Sequence, residues 1–135
     1  MEACVKKKKE RREYAEIAPA GPTYARAVRA DQMLFISGCT ARGTDAEGGA
    51  AIDQLTVTLD RVVRIVQAEG GLPHDIVKLT TFVTRMADWY PASEEQQAIF
   101  KSYFDGENPA NSLVEITALA LPGLDIEIEA IAIID

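Results

Sequence analysis

The sequence predicts an α+β fold in which two helices cover one face of a mixed sheet, in the order β-β-α-β-α-β-β. Three observations carry this prediction. The closing segment Asp125–Ile133 alternates, with Ile126, Ile128, Ala130 and Ala132 on one face and Glu127, Glu129, Ile131 and Ile133 on the other, as a half-buried strand requires. Ala51–Glu69 places Ile52, Leu55, Leu59, Val62, Val63 and Val66 three and four residues apart, which draws one apolar stripe along a helix. Asp75–Thr84 carries Ile76-Val77, Leu79 and Phe82-Val83, a β-branched run bounded by turn formers.

The other elements follow in order. Tyr14–Ala20 reads as a short strand or loop, and Gly21-Pro22-Thr23 as a turn. Tyr24–Arg29 and Met33–Gly38 are short strand-like runs around Asp31-Gln32, hence a hairpin. A connector with Gly43, Gly48 and Gly49 leads to the first helix, which Gly70-Gly71 ends. The second helix is expected to start at Asp88 as N-cap, with Pro91 in its first turn. Ile99, Phe100, Tyr103 and Phe104 form its apolar side, and Gly106 stops it. Leu113–Leu119 is expected as a strand that turns back at Leu121-Pro122-Gly123 into Asp125–Ile133. Helices on one face leave the other face of the sheet bare, and an apolar sheet face of that size implies an oligomer.

Composition bounds the function. At 135 residues and 47% apolar, the chain is expected to be one domain spanning 14–135, preceded by a basic, disordered tail over 1–13. That tail takes six of the fourteen basic side chains and three of the twenty-one acidic ones. The remainder then holds eight basic and eighteen acidic, a net of −10. So acidic a body repels a phosphate backbone, which argues against nucleic acid as a partner. No apolar run of about 18 residues is present, which argues against a membrane span. Cys4 and Cys39 make no disulfide framework, so a reducing, cytoplasmic setting is expected.

The chemical inventory is thin. His74 stands alone beside Pro73, no Cys/His spacing suits a metal, and no glycine-rich nucleotide loop is present, so no cofactor is expected. Cys39 reads as a small packed side chain, and Trp89 and Tyr90 as packing anchors. What remains is a set of groups at strand ends or beside turns: Tyr24, Ser37, Gly38, Asn111 and Glu127. For Glu127 two readings stand, a solvated strand residue or a carboxylate in a cleft that handles a proton or a water.

Five segments then carry a resemblance: Tyr24-Ala25-Arg26-Ala27-Val28, Leu34-Phe35-Ile36-Ser37-Gly38, Asp75 through Thr84, Pro109 through Ile116, and Ile126 through Ala132. In order and spacing, over roughly residues 14–133, they resemble the Rid (YjgF) superfamily. The resemblance implies a chorismate-mutase-like fold, a homotrimer with small-molecule clefts between subunits, and cofactor-free hydrolysis of reactive enamines and imines such as 2-aminoacrylate. It implies that Glu127, Tyr24 and Ser37 are the catalytic residues and that Gly38, Asn111 and Leu113 contact substrate. The chain departs from the pattern in three places. Thr23 is an extra residue between Pro22 and Tyr24, Leu113 replaces a cysteine, and Asn111 replaces the arginine that grips the substrate carboxylate. An amide lacks the charged fork, and each lost charge-assisted hydrogen bond forfeits about 1.5–3 kcal/mol. The expected function is therefore hydrolysis of imines or enamines other than 2-aminoacrylate, with a non-catalytic small-molecule-binding trimer as the alternative. A ribonuclease label is sometimes attached to this family, and the acidic body and the single histidine argue against it.

Overall fold

The structure, a computed structural model, describes residues 8–135. The strands are β1 (Lys9–Arg12), β2 (Ala27–Ala30), β3 (Met33–Cys39), β4 (Ile76–Val83), β5 (Ala110–Glu115) and β6 (Ile126–Ile133). The helices are α1 (Ala51–Ala68) and α2 (Glu94–Phe104), with single 3-10 turns at Pro73–Asp75 and Met86–Asp88.

All six strands form one mixed sheet in the order β1-β2-β3-β6-β4-β5, in which only β4 and β5 run parallel. The alternation read in β6 is the alternation seen. Ile126, Ile128, Ala130 and Ala132 are buried beneath α1, whose Leu55, Leu59, Val62, Val63 and Val66 complete the core. The fifteen buried Leu, Ile, Val and Phe side chains of this core, at about 1.5–3 kcal/mol each, are enough to drive collapse of a chain this long. The opposite face stays open: Phe35, Met33, Val77 and Ile133 remain about two-fifths exposed there.

Four expectations are corrected. The tail was placed at 1–13, yet Lys9–Arg12 form β1, paired antiparallel with Ala27–Ala30. Alternation decides this. Glu10 and Arg12 lie on one side, where Arg12 pairs with both Glu10 and Glu69, and a charged edge strand needs no apolar signature. Residues 1–7, including Cys4, lie outside the described part. The second helix begins at Glu94 and not at Asp88. Ser93 is its N-cap, accepting from the Gln96 amide at 3.1 Å, while Asp88 closes a separate turn and Pro91 precedes the helix. β5 runs Ala110–Glu115, earlier than Leu113–Leu119. Finally, β5 and β6 do not pair as a hairpin, because β4 lies between them. The link from Ile116 to Asp125 is thus a crossover. It is held by Gln54 of α1, whose amide donates to Gly123 O and Asp125 Oδ2 and accepts from the Asp125 amide.

Among the described residues no helix is long and apolar enough to cross a membrane.

Candidate functional site

At one end of the sheet, the loop before β2, the end of β3, the start of α1's connector and the start of β6 enclose a pocket of about 390 Å³. Tyr24, Gly38 and Glu127 all line it, so three of the six residues singled out in the sequence meet in one place. Glu127 reaches the pocket because it occupies the open-face register of β6 while its neighbours Ile126 and Ile128 point into the core. Burial is the main force raising its carboxyl above the ordinary range, Glu129 adds to the rise, and Arg26 opposes it. Gly38 makes room for it. A Cβ at position 38 would stand 2.5 Å from the Glu127 carboxyl carbon, closer than any real contact.

Arg26 builds the wall. It is almost fully buried, and its guanidinium donates to the carbonyls of Ala18 (3.0 Å), Pro19 (3.1 Å), Ser37 (3.2 Å) and Gly38 (2.9 Å), and to the Tyr24 hydroxyl at 3.4 Å. It also stacks over the Tyr24 ring at 5.4 Å. One rigid fork thereby ties the loop before β2, the end of β3 and the tyrosine into a single unit. Cys39 lies beneath, buried, with its thiol pushed up mainly by burial, so it is a packed side chain and not a thiolate. Ser37 stands behind the wall: its hydroxyl donates to Ala25 O at 2.7 Å and does not line the cavity.

Asn111 and Leu113 lie elsewhere. Asn111 accepts from the buried Thr81 hydroxyl at 2.9 Å, which puts it on the helix-covered face of the sheet, opposite Glu127. It borders a groove along α2 with Gln96, Phe100 and Lys101. Leu113 packs against the core from the same strand. Within one chain, then, the structure gathers Tyr24, Gly38 and Glu127 and leaves Asn111 and Leu113 apart. His74 is exposed and Trp89 is buried, while Tyr90, expected as a packing anchor, is 71% exposed.

Sequence reasoning passed over Arg26, Arg42 and Arg61, which also line the pocket. A signal for Arg26 was present, since it follows Tyr24 by two residues and so shares its side of an extended segment. Arg61 sits beside the apolar stripe of α1 and donates to Thr40 O at 2.7 Å.

The fold and this pocket define a small α+β protein, and comparison with known proteins names the class. The sequence profile of the Endoribonuclease L-PSP family matches residues 14–134. The chain belongs to that family, which is the YjgF or Rid family. It is 33% identical to the mouse 2-iminobutanoate/2-iminopropanoate deaminase, over 86% of this chain and 85% of that one. It is 32% identical to a RutC family protein of Pyrococcus horikoshii, over 84% of this chain and 88% of that one. A solved Mycobacterium tuberculosis member of the YjgF/YER057c/UK114 family superposes with a TM-score of 0.69 at 31% identity, covering 84% of this chain and 88% of that one.

Proposed function

We propose that this protein is a cofactor-independent reactive-intermediate deaminase that hydrolyses small imines and enamines. The observation that carries the reading is Glu127, a half-buried carboxyl of raised proton affinity in a pocket shared with Tyr24 and Gly38. Relatives named as 2-iminobutanoate/2-iminopropanoate deaminase and as a reactive intermediate deaminase supply the reaction class.

The chemistry needs little beyond a placed water and a proton carrier. Glu127 takes a proton from water as its oxygen bonds to the imine carbon, and the nitrogen takes up a proton to give a carbinolamine. Collapse of that intermediate expels ammonia and leaves a carbonyl, so the balance is imine plus water to carbonyl plus ammonia. A carboxyl with a raised pKa holds and releases protons nearer to neutral pH than an ordinary one. Tyr24 donates to the substrate, the Gly38 backbone lies alongside it, and Ser37 acts by holding the strand end. Asn111 in place of arginine makes 2-aminoacrylate a poor substrate.

The family resemblance supports a homotrimer, and the bare face carrying Phe35, Val77 and Ile133 supplies surface for its contacts. A second reading, a non-catalytic trimer that binds a small molecule, is favoured by one observation: Asn111 lies across the sheet from Glu127, so the residue at the position of the family's carboxylate-gripping arginine does not reach the pocket within the chain.

The two readings separate on Glu127→Gln. Ammonia release from a panel of enzymatically generated imines should fall by about 10²–10⁴ in the variant if Glu127 moves the proton. Release by neither above the spontaneous rate supports the binding protein instead, and equal release by both above that rate takes Glu127 out of the chemistry.

A further inference from the structure

The pocket holds more positive charge than the proposed hydrolysis uses. Arg26, Arg42, Arg61 and Glu127 are its charged lining residues, so the net charge is +2 with Glu127 ionised and +3 once it is protonated. This stands inside a chain whose net charge is −7. None of the three arginines forms an ion pair with any described residue. Cations gathered in a half-enclosed cavity repel one another and focus a positive potential outward. Arg61 registers this: burial, with the nearby charge of Arg26, lowers its pKa.

The three are not equivalent. Arg26 spends its donors on backbone carbonyls and Tyr24, and is part of the wall. Arg61 makes one bond, to Thr40 O, and the Arg42 guanidinium makes none with the described residues. A whole fork and most of a second are therefore available to a ligand, and a guanidinium fork matches an oxyanion in shape and charge.

We propose that Arg42 and Arg61 form an oxyanion subsite beside Glu127 that grips a carboxylate or phosphate group of the substrate. The proposal rests on reading this pocket as the substrate site, and it names the substrate class: a reactive imine or enamine that carries an anion. The anion is held from the β3–α1 connector and α1, not from β5. At about 30 Å³ per water, the pocket of about 390 Å³ takes on the order of a dozen waters. It therefore suits a substrate larger than a three-carbon imino acid, with its anion set several bonds from the reacting carbon.

The test is calorimetric titration of the full chain with succinate, inorganic phosphate and, as a neutral control, acetamide, in wild type, Arg42→Gln, Arg61→Gln and Glu127→Gln. Succinate or phosphate binds wild type and acetamide does not, and whichever of the two binds more tightly identifies the oxyanion. Arg42→Gln and Arg61→Gln each weaken that binding by about tenfold to a hundredfold, while Glu127→Gln leaves it equal or tighter because a negative charge is gone. Arg42 is exposed, so its variant folds even if loss of the Arg61–Thr40 bond disturbs the other. Affinity unchanged in Arg42→Gln, or no binding by wild type up to about 10 mM, beyond the usual range for a metabolite site, overturns the subsite. Loss of turnover in Glu127→Gln with intact anion binding in Arg42→Gln removes the subsite alone. Anion binding lost in Arg42→Gln with no turnover by wild type above the spontaneous rate removes the hydrolase reading alone.

Discussion

The pocket around Glu127 and the groove beside Asn111 belong to one sheet and are built in opposite ways. The pocket lies at a strand end, where Arg26 binds four carbonyls from two segments and Gly38 leaves space for a carboxyl. The groove lies on an edge strand, where Asn111 makes one bond, to Thr81, and faces polar residues of α2. The first is preorganised by long-range contacts within the chain, and the second is open. Chemistry that needs fixed distances therefore belongs to the first, and the second is where a further surface would have to be added.

Substitutions sharpen this contrast in descending order of effect. Arg26→Met keeps the volume of the side chain but strands four carbonyl oxygens, and denaturant unfolding should show a loss of about 3–4 kcal/mol. Gly38→Ala should lower turnover by about 100-fold, since displacing Glu127 by even an ångström misplaces its proton. Circular dichroism should show the fold retained, because the clash is with the end of one side chain. Asn111→Ala should lose less than about 1 kcal/mol on unfolding, for the bond to Thr81 is partly exposed. A loss as large as that at Arg26 would break the comparison.

The smallest effect is on the pH dependence of stability. The Glu127 carboxyl is raised from 4.5, so the folded state binds its proton more tightly than the unfolded state. Stability contributed by this group is present below the unfolded pKa and is lost as pH rises through the folded one. Thermal unfolding of Glu127→Gln across that window should lack this decline and otherwise follow wild type.

Much of this architecture is legible in the chain because its signals are local. The alternation of Ile126 through Ala132 and the stripe from Ile52 to Val66 reappear as the packed faces of β6 and α1. What failed needed long-range information. The pairing of β6 with β4 and not with β5 is fixed by the crossover that Gln54 holds, and no pattern within residues 113–133 reports it. β1 was missed because a charged edge strand is stabilised by β2 and by Glu69, 57 residues from Arg12. The site divides in the same way. Tyr24, Gly38 and Glu127 could be named from strand ends, whereas Arg42 and Arg61 became visible only when α1 and the β3–α1 connector closed over the pocket.

The most direct test of the central claim, that Glu127 handles the proton in this pocket, is the pH profile of kcat/KM for imine hydrolysis in wild type and Glu127→Gln. The account predicts a limb in the wild-type profile with an apparent pKa above the ordinary 4.5 of a glutamate. In the variant that limb should disappear and the rate should fall by about 10²–10⁴. A variant with the same limb and the same rate would contradict the account and move the chemistry out of this pocket.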